Sequence, residues 1–171
     1  MDRAAFTQAR SFIFTDIRRE IAMAKASESI EGQEALHRAQ VPLGAGNFMA
    51  ALALLCYTEF GGKLKFNCRR DNGTDLASEN FNRFFDEIGP AYRAFRAAGH
   101  KVYDVFRSGL AHEYYVKRGC TIAMHVSPET APGIGLQADG RYYFAVEPYC
   151  RDLERAFSDL EQHLYAERAP S

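Results

Sequence analysis

Apolar residues recur every three or four positions through most of the chain, which is the spacing of helices that bury one side. The first such segment covers about Ala4 to Lys25, and its arginines group on the opposite side of the helical wheel. Nearly every residue from Asn47 to Phe60 is apolar or small, which predicts a central helix buried on most sides. Gly61 and Gly62 are predicted to end that helix. Residues 26–46, interrupted by glycine and proline, are predicted to form a linker that has room for a short helical turn around Glu34 to Arg38.

Helical spacing resumes after a polar connection, Lys63 to Asp75, which ends in an Asn-Gly turn. Ser78 is predicted to cap a helix whose apolar side is formed by phenylalanines. The Gly-Pro dipeptide at residues 89–90 is predicted to interrupt this helix, because proline disfavours helical geometry in the residue before it. A further short helix is predicted to end at Gly99, and another to begin near Val102.

The period of the apolar pattern changes in the last third of the chain. Residues 121–126 and 141–147 are rich in β-branched and aromatic side chains, and prolines and glycines separate them. This pattern predicts a hairpin or a small sheet of two or three strands. After Pro148 the helical spacing returns, with Asp152 and its acidic neighbours predicted on the solvent side of a final amphipathic helix.

Together these elements predict a mainly α fold. We expect a single domain over residues 1–171, with four or five helices in a bundle and a small β-hairpin, approximately residues 119–147, inserted before the C-terminal helix. A chain of 171 residues of which 47% are hydrophobic can bury one full core. No segment approaches the ~20 apolar residues needed to cross a bilayer, and charged residues near the N-terminus exclude a signal peptide. The four cysteines form no CxxC pair, so we expect reduced thiols in a cytoplasmic protein and neither a zinc site nor a redox motif.

Positive and negative charges are balanced, with 21 Lys and Arg against 22 Asp and Glu. No global positive field therefore attracts nucleic acid, and any contact with RNA must be local. The densest cationic cluster lies in the polar connection and consists of Lys63, Lys65, Arg69 and Arg70. One interpretation is a phosphate-binding edge. The other is a solvated loop, which is the usual role of such a run of charges.

The strongest concentration of reactive chemistry lies between Val102 and Val116, where Arg107 stands five residues before His112. Histidine titrates near neutral pH, and the guanidinium group of arginine is a permanent donor that matches the geometry of a phosphate. Positions five apart on an ideal helix differ by a rotation of about 140°. If both side chains serve one site, we therefore expect a helix distorted near Gly109, a long reach by the arginine or a two-fold dimer that joins the motifs of two protomers.

The segment RSGLAH, residues 107–112, resembles the R-x4-6-H signature of the HEPN superfamily, in which a polar residue, here Ser108, often follows the arginine. The order of several helices, a late motif and a final amphipathic helix is also similar to HEPN domains. With Tyr114 included, the string resembles the R-x4-H-x-Y form of HEPN toxins that are paired with a nucleotidyltransferase antitoxin. In those toxins the tyrosine is adenylylated. The predicted hairpin and the length of the chain depart from that toxin pattern.

The resemblance implies cleavage of RNA without a metal or another cofactor, at a homodimer interface formed by the motif face. In that reaction His112 would act as a general acid or base, and Arg107 would bind the scissile phosphate. Ser108 would orient either side chain, and the product would carry a 2′,3′-cyclic phosphate. The implied biological role is that of a toxin or of a defence or stress effector, with a nucleotidyltransferase antitoxin as partner and Tyr114 as the modified residue.

Two other hypotheses fit the same residues. The first is a non-catalytic HEPN module that binds a nucleotide, RNA or a partner protein, which the balanced charge and the aromatic surroundings of the motif favour. The second is a structural helical interaction protein, in which Arg107 faces solvent, His112 caps a neighbouring element and Tyr114 packs as an ordinary aromatic residue. The RNA cleavage activity of a His112→Ala variant separates catalysis from both alternatives.

Overall fold

The computed structural model describes residues 1–43, 46–113, 119–126 and 131–166, and the side chains of residues 112 and 113 lie outside this description. Its elements in chain order are α1 (Arg3–Ala26), α2 (Ile30–Arg38), α3 (Asn47–Phe66), α4 (Ala77–Ile88), α5 (Pro90–Ala97), a π-helical turn (Tyr103–Arg107), α6 (Ser108–Glu113), β1 (Cys120–Ala123), β2 (Ile134–Leu136), β3 (Tyr142–Ala145) and α7 (Val146–Tyr165). The protein is mainly helical, with a small sheet before the last helix, which confirms the predicted fold class.

Helix α7 packs against α1, α3 and α4. The ring of Phe157 on α7 is fully buried and lies edge-on to the rings of Phe14 and Phe84. The same ring is nearly parallel to those of Phe6 and Phe60. These four partners come from α1, α3 and α4, so one aromatic side chain joins the three helices around α7.

Gly61 and Gly62 do not end α3, which continues to Phe66, so that prediction is wrong. Both glycines are buried where α3 packs against α4. A Cβ atom on Gly61 would lie 2.4 Å from the ring of Phe84, and one on Gly62 would lie 1.9 Å from the backbone oxygen of Asn80. Helix termination and close helix packing both favour glycine. Here the two glycines allow α3 and α4 to approach more closely than any side chain at these positions would permit.

The connection after α3 is shorter than predicted, because Lys63 and Lys65 belong to the last turn of that helix. The predicted Asn-Gly turn is confirmed: Gly73 has a φ of 81°, and its N–H donates to the carbonyl of Arg70 at 2.8 Å. Ser78 does not cap α4, because the helix begins one residue earlier and has no side-chain cap. The predicted break before α5 is confirmed, with proline as the first residue of α5.

The sheet has three strands, within the predicted number, but the two predicted strands, β1 and β3, do not form the hairpin. The hairpin joins β3 to β2, which lies in the proline- and glycine-rich segment between them. Strands β2 and β3 are antiparallel, with Ile134 opposite Phe144. Strand β1 pairs in parallel with the other edge of β3, where Cys120 lies opposite Tyr142. The side chains of Ile134, Tyr142 and Phe144 are buried in the same hydrophobic cluster as the helices. The sheet is therefore part of the single core and not a separate unit.

Helix α7 begins at Val146, before Pro148, and it buries a carboxylate that was predicted to face solvent. Asp152 is only 5% exposed. Its Oδ1 accepts hydrogen bonds from Arg151 at 3.1 Å and from Arg155 at 3.3 Å. A carboxylate is buried in a protein only when its charge is paired and its oxygens are hydrogen-bonded. The helical wheel could not reveal this pairing, because it also involves a residue on α5.

That residue is Tyr92, whose hydroxyl connects three parts of the chain. It donates to Oδ2 of Asp152 at 2.8 Å and accepts the backbone N–H of Gly133 at 2.9 Å. Burial, and next the negative charge of Asp152, raise the pKa of Tyr92 far above its usual range, so the phenol keeps its proton. The hydroxyl therefore ties α5 to α7 and to the residues before β2.

We expect the Tyr92→Phe variant to lose about 1–3 kcal/mol of unfolding free energy. Oδ2 of Asp152 would keep only the longer hydrogen bond from Arg151, at 3.4 Å, and the buried N–H of Gly133 would lose its partner. Chemical denaturation monitored by circular dichroism measures this loss. The control is Tyr165→Phe, since the hydroxyl of Tyr165 donates to exposed backbone oxygens at the N-terminus, where water can replace it. Equal stability of the two variants would show that the buried network contributes nothing specific.

No helix within the described ranges is long and apolar enough to cross a membrane. The four cysteines carry free thiols. Burial raises the pKa of Cys120 and that of Cys150 to about 12, so both thiols are protonated at neutral pH.

Candidate functional site

The predicted motif lies where the π-helical turn meets α6. At this junction the N–H of Ser108 bonds to the carbonyl of Tyr103, five residues earlier, whereas an α-helix uses the carbonyl four residues earlier. Phe106 and Leu110 are buried in the core, and Arg107 and Ser108 are partly buried at its edge. The distortion expected near Gly109 is not found there: the π-helical turn ends at Arg107, and the backbone from Ser108 to Glu113 is α-helical.

Arg107 is held by a carboxylate of the central helix. Its Nε lies 3.0 Å from Oε2 of Glu59, and the two side chains are 21% and 24% exposed. Both of these atoms are shielded from solvent, yet they lack the angles of a hydrogen bond, so we describe the contact as an ion pair. The guanidinium carbon also lies 5.9 Å from the centre of the Tyr103 ring. Glu59 thus holds the guanidinium at its Nε atom and compensates its positive charge.

This ion pair also influences two neighbouring titratable groups. Burial raises the pKa of Cys56, while Arg107 opposes that shift and Glu59 adds to it. Burial likewise raises the pKa of Tyr103, with Glu59 adding to the shift and Arg107 opposing it. Both groups are therefore protonated at neutral pH. Neither can act there as a base or as an anionic nucleophile.

The structure describes the other motif residues only in part. The backbone of His112 belongs to α6, but its side chain lies outside the described residues, as does all of Tyr114. The hydroxyl of Ser108 forms no hydrogen bond to any side chain or backbone group that the structure describes. The joint action of Arg107 and His112 therefore stays a prediction, and so does modification of Tyr114.

The cationic cluster is largely paired with carboxylates. Lys63 contacts Asp75, and Arg69 lies 3.4 Å from the same carboxylate. Lys65 contacts Glu87 of α4 at 2.8 Å. The cluster extends from the last turn of α3 into the turn that contains the exposed residue Arg70. Because three of its four members are neutralised, it offers a weaker attraction to phosphate than the sequence alone indicates.

Of the predicted phosphate-binding residues, Lys63 is the one that lies on the same face of α3 as Glu59. It follows Glu59 by four residues on α3, and such positions lie one above the other on a helix. Its ammonium group is paired with Asp75, so it adds little positive potential beside Arg107.

The sequence reasoning missed two residues of this site, Glu59 and Tyr103. A signal for Glu59 was available, because it is the only charged residue in the apolar stretch 47–60. A lone carboxylate in a helix buried on most sides needs a cationic partner. Its partner could not be identified without the fold, because nothing local relates Glu59 to Arg107.

We expect the Glu59→Gln variant to bind RNA roughly fivefold more tightly than the wild type. The substitution removes the repulsion between the Glu59 carboxylate and a phosphate bound at Arg107, which is about 1 kcal/mol for two charges a few ångströms apart in water. Fluorescence anisotropy with a labelled single-stranded oligonucleotide measures the affinity. Glu161→Gln is the matched control, since Glu161 pairs with Arg10 between α1 and α7 and the net charge changes equally. The same gain in both variants would show an effect of net charge alone and would remove the argument for a phosphate at Arg107.

The chain was compared with models of known protein families, with curated proteins and with solved structures, and none of the three comparisons gave a match.

Proposed function

We propose that this chain is a metal-independent endoribonuclease of the HEPN type that acts in the cytoplasm as a homodimer. The observation that carries the proposal is the setting of Arg107. Glu59 holds its guanidinium through Nε at the edge of the core, immediately before the helix that carries His112. The edge formed by the two Nη atoms has the spacing of a bidentate phosphate contact. The R-x4-H spacing supports the same chemistry.

The proposed reaction is an internal transfer of the phosphodiester bond. His112 removes the proton of the ribose 2′-hydroxyl, and the 2′-oxygen forms a bond to phosphorus. The bond between phosphorus and the 5′-oxygen breaks, and the leaving oxygen takes up the proton that His112 has received. Arg107 stabilises the negative charge that develops on the phosphate, and Ser108 orients the phosphate or the arginine. The products carry a 2′,3′-cyclic phosphate and a 5′-hydroxyl.

The proposal includes the biological role that the motif implies. A toxin or a defence or stress effector would cleave cellular RNA, and a nucleotidyltransferase antitoxin would silence it by adenylylating Tyr114. Tyr114 follows His112 by two residues, so a nucleotide attached to it would add bulk and negative charge next to the active histidine. The modification would therefore repel the RNA backbone from the site.

The test is an RNA cleavage assay in the presence of EDTA, with the termini of the products identified by mass spectrometry. We expect cleavage of single-stranded RNA with 2′,3′-cyclic phosphate ends, no cleavage of a substrate with 2′-deoxyribose throughout, and loss of cleavage in His112→Ala. Cleavage that persists in His112→Ala, or that accepts deoxyribose, contradicts the proposed mechanism.

A second candidate function is a non-catalytic module that binds RNA, a nucleotide or a partner protein. The ion pair of Arg107 with Glu59 and the pairing of three of the four clustered cations favour it, because these contacts reduce the positive potential available for catalysis. RNA binding without cleavage, abolished by Arg107→Ala, would support this function over the first.

A further inference from the structure

A cleft beside Tyr103 opens between α4 and the segment that joins α5 to the π-helical turn. It has a volume of about 400 Å³, and its walls include Ser78, Asn82, His100, Lys101 and Tyr103. This volume lies within the range of small-molecule sites. Since Tyr103 also lies against the guanidinium of Arg107, one aromatic residue borders both the cleft and the candidate site.

The polar groups of this cleft are uncommitted. Ser78 and Asn82 are four residues apart on α4, so they occupy the same helix face. Among the described residues, the side chains of Ser78, Asn82 and Lys101 form no hydrogen bond or ion pair with one another or with other groups. A hydroxyl, an amide and an ammonium group thus face one space without internal partners. Asn82 is half-buried and the other two side chains are exposed, so all three can bind a ligand in place of water.

The aromatic wall of the cleft is held in place. The ring of His100 stacks on Phe95 with 4.2 Å between ring centres, and its Nδ1 is hydrogen-bonded to the hydroxyl of Tyr142 at 3.1 Å. Tyr103 contacts the buried ring of Phe81 edge-on. Two ring side chains therefore border the cleft in fixed positions, and unpaired bases bind to proteins by stacking on such rings.

The small net charge of the cleft favours binding of a single nucleotide over binding of a polynucleotide with many phosphates. Arg96 also lines the cleft, but Asp86 binds its guanidinium through two hydrogen bonds and compensates its charge. Asp104 also lines the cleft, so its negative charge offsets the positive charge of Lys101. The net charge is therefore small, and hydrogen bonding and stacking must provide most of the affinity.

A larger cleft between α1 and α7, of about 600 Å³, lacks these properties. There Arg10 is hydrogen-bonded to both Glu161 and Ser158, and Arg3 lies 3.6 Å from the same glutamate. Its principal polar groups already satisfy one another. Uncommitted polar groups beside rings held in place thus distinguish the cleft at Tyr103 from the cleft between α1 and α7.

We propose that the cleft at Tyr103 binds the base of one unpaired nucleotide adjacent to the scissile phosphate of single-stranded RNA. This inference rests on the proposed ribonuclease function, for which it names the substrate class and a specificity site. Asn82 and Ser78 hydrogen-bond the edge of the base, Tyr103 stacks on its face, and Lys101 contacts its phosphate. The path of the strand then leads from the cleft, past Tyr103, to Arg107.

The test measures binding separately from cleavage. In the full-length His112→Ala protein, a 2′-O-methyl hexanucleotide of mixed sequence and the four nucleoside monophosphates are titrated by NMR and by fluorescence anisotropy. We expect resonance shifts at Ser78, Asn82 and Tyr103, and roughly five- to tenfold weaker binding of the hexanucleotide when Ser78→Ala and Asn82→Ala are combined. The matched control is Gln8→Ala with Ser11→Ala, an exposed polar pair on α1 that should leave the affinity unchanged.

The outcomes separate this inference from the proposed function. Weakened binding in the Ser78→Ala, Asn82→Ala protein, combined with no cleavage by the wild type, would support the cleft and overturn the ribonuclease. Cleavage by the wild type with equal affinity in both double variants would overturn the cleft alone. Absence of binding by any probe also overturns it. Thermal melting of each variant shows whether the fold is intact, and Tyr103→Leu provides a second variant if the double substitution lowers stability.

Discussion

A mixture of equal amounts of Arg107→Ala and His112→Ala protein should recover about a quarter of the wild-type cleavage rate, although each variant alone is inactive. In a two-fold dimer whose sites combine Arg107 of one copy with His112 of the other, a mixed dimer contains one intact site and one that lacks both groups. Random exchange makes about half of the dimers mixed, and each has half of its sites active. The expected recovery follows from these two factors.

The individual variants should lose most of the activity. Removal of a general acid or base lowers rates by about 10²–10⁴, and removal of a group that stabilises the transition-state charge lowers them by about 10²–10³. Loss of Arg107 also leaves the shielded Oε2 of Glu59 without its cationic partner, which lowers stability. Thermal melting of Arg107→Ala therefore accompanies the cleavage assay and separates a loss of fold from a loss of catalysis.

The control for complementation is each variant mixed with itself after the same exchange step, together with sedimentation analysis of the oligomeric state. The cleavage rate of Arg107→Ala mixed with Ser108→Ala provides a further comparison, because it tests whether these two adjacent residues also act from different copies. Absence of recovery in a mixture shown to contain mixed dimers would place Arg107 and His112 in the same protomer. A protein that stays monomeric at assay concentration would contradict the shared site.

We expect Gly62→Ala to lower the unfolding free energy by about 2 kcal/mol or more and the melting temperature by roughly 4–8 °C. The added methyl group would lie 1.9 Å from the backbone oxygen of Asn80. A backbone carbonyl cannot rotate away as a side chain can, so α3 and α4 must separate and lose their packing. This loss outweighs the gain of about 1 kcal/mol that alanine brings to a helix interior. Differential scanning calorimetry measures both quantities.

Gly89→Ala is the matched control for this prediction. A Cβ atom at Gly89 would meet its nearest neighbours, the ring of Tyr92 and the guanidinium of Arg155, at 3.6 and 3.7 Å, which is ordinary contact. The backbone there is extended, with a φ of 163°, so alanine introduces no strain. Stability of Gly62→Ala equal to that of Gly89→Ala would show that α3 and α4 are not tightly packed at Gly62.

By itself, the sequence determined the class of fold and most of the helices and strands. The segments from Ala4 to Lys25 and after Pro148 are long and strongly periodic, and their periodicity arises from neighbours within the same helix. The break at the Gly-Pro dipeptide and the turn at Gly73 were also predictable, because they depend on the backbone preferences of one or two residues. The sequence also singled out Arg107 and His112 by their chemistry and spacing.

Only the tertiary structure decided the features that depend on a partner far along the chain. In the sequence, Gly62 is compatible with the end of a helix and with close helix packing. The structure shows close packing, because the backbone of Asn80 on α4 lies against Gly62. Asp152 follows the polar side of a helical wheel, yet Tyr92 on α5 makes its burial possible. Glu59 became part of the candidate site only when α3 was brought beside the π-helical turn. Periodicity indicates which side of a helix is buried. The residues that pack against that side depend on how the whole chain folds.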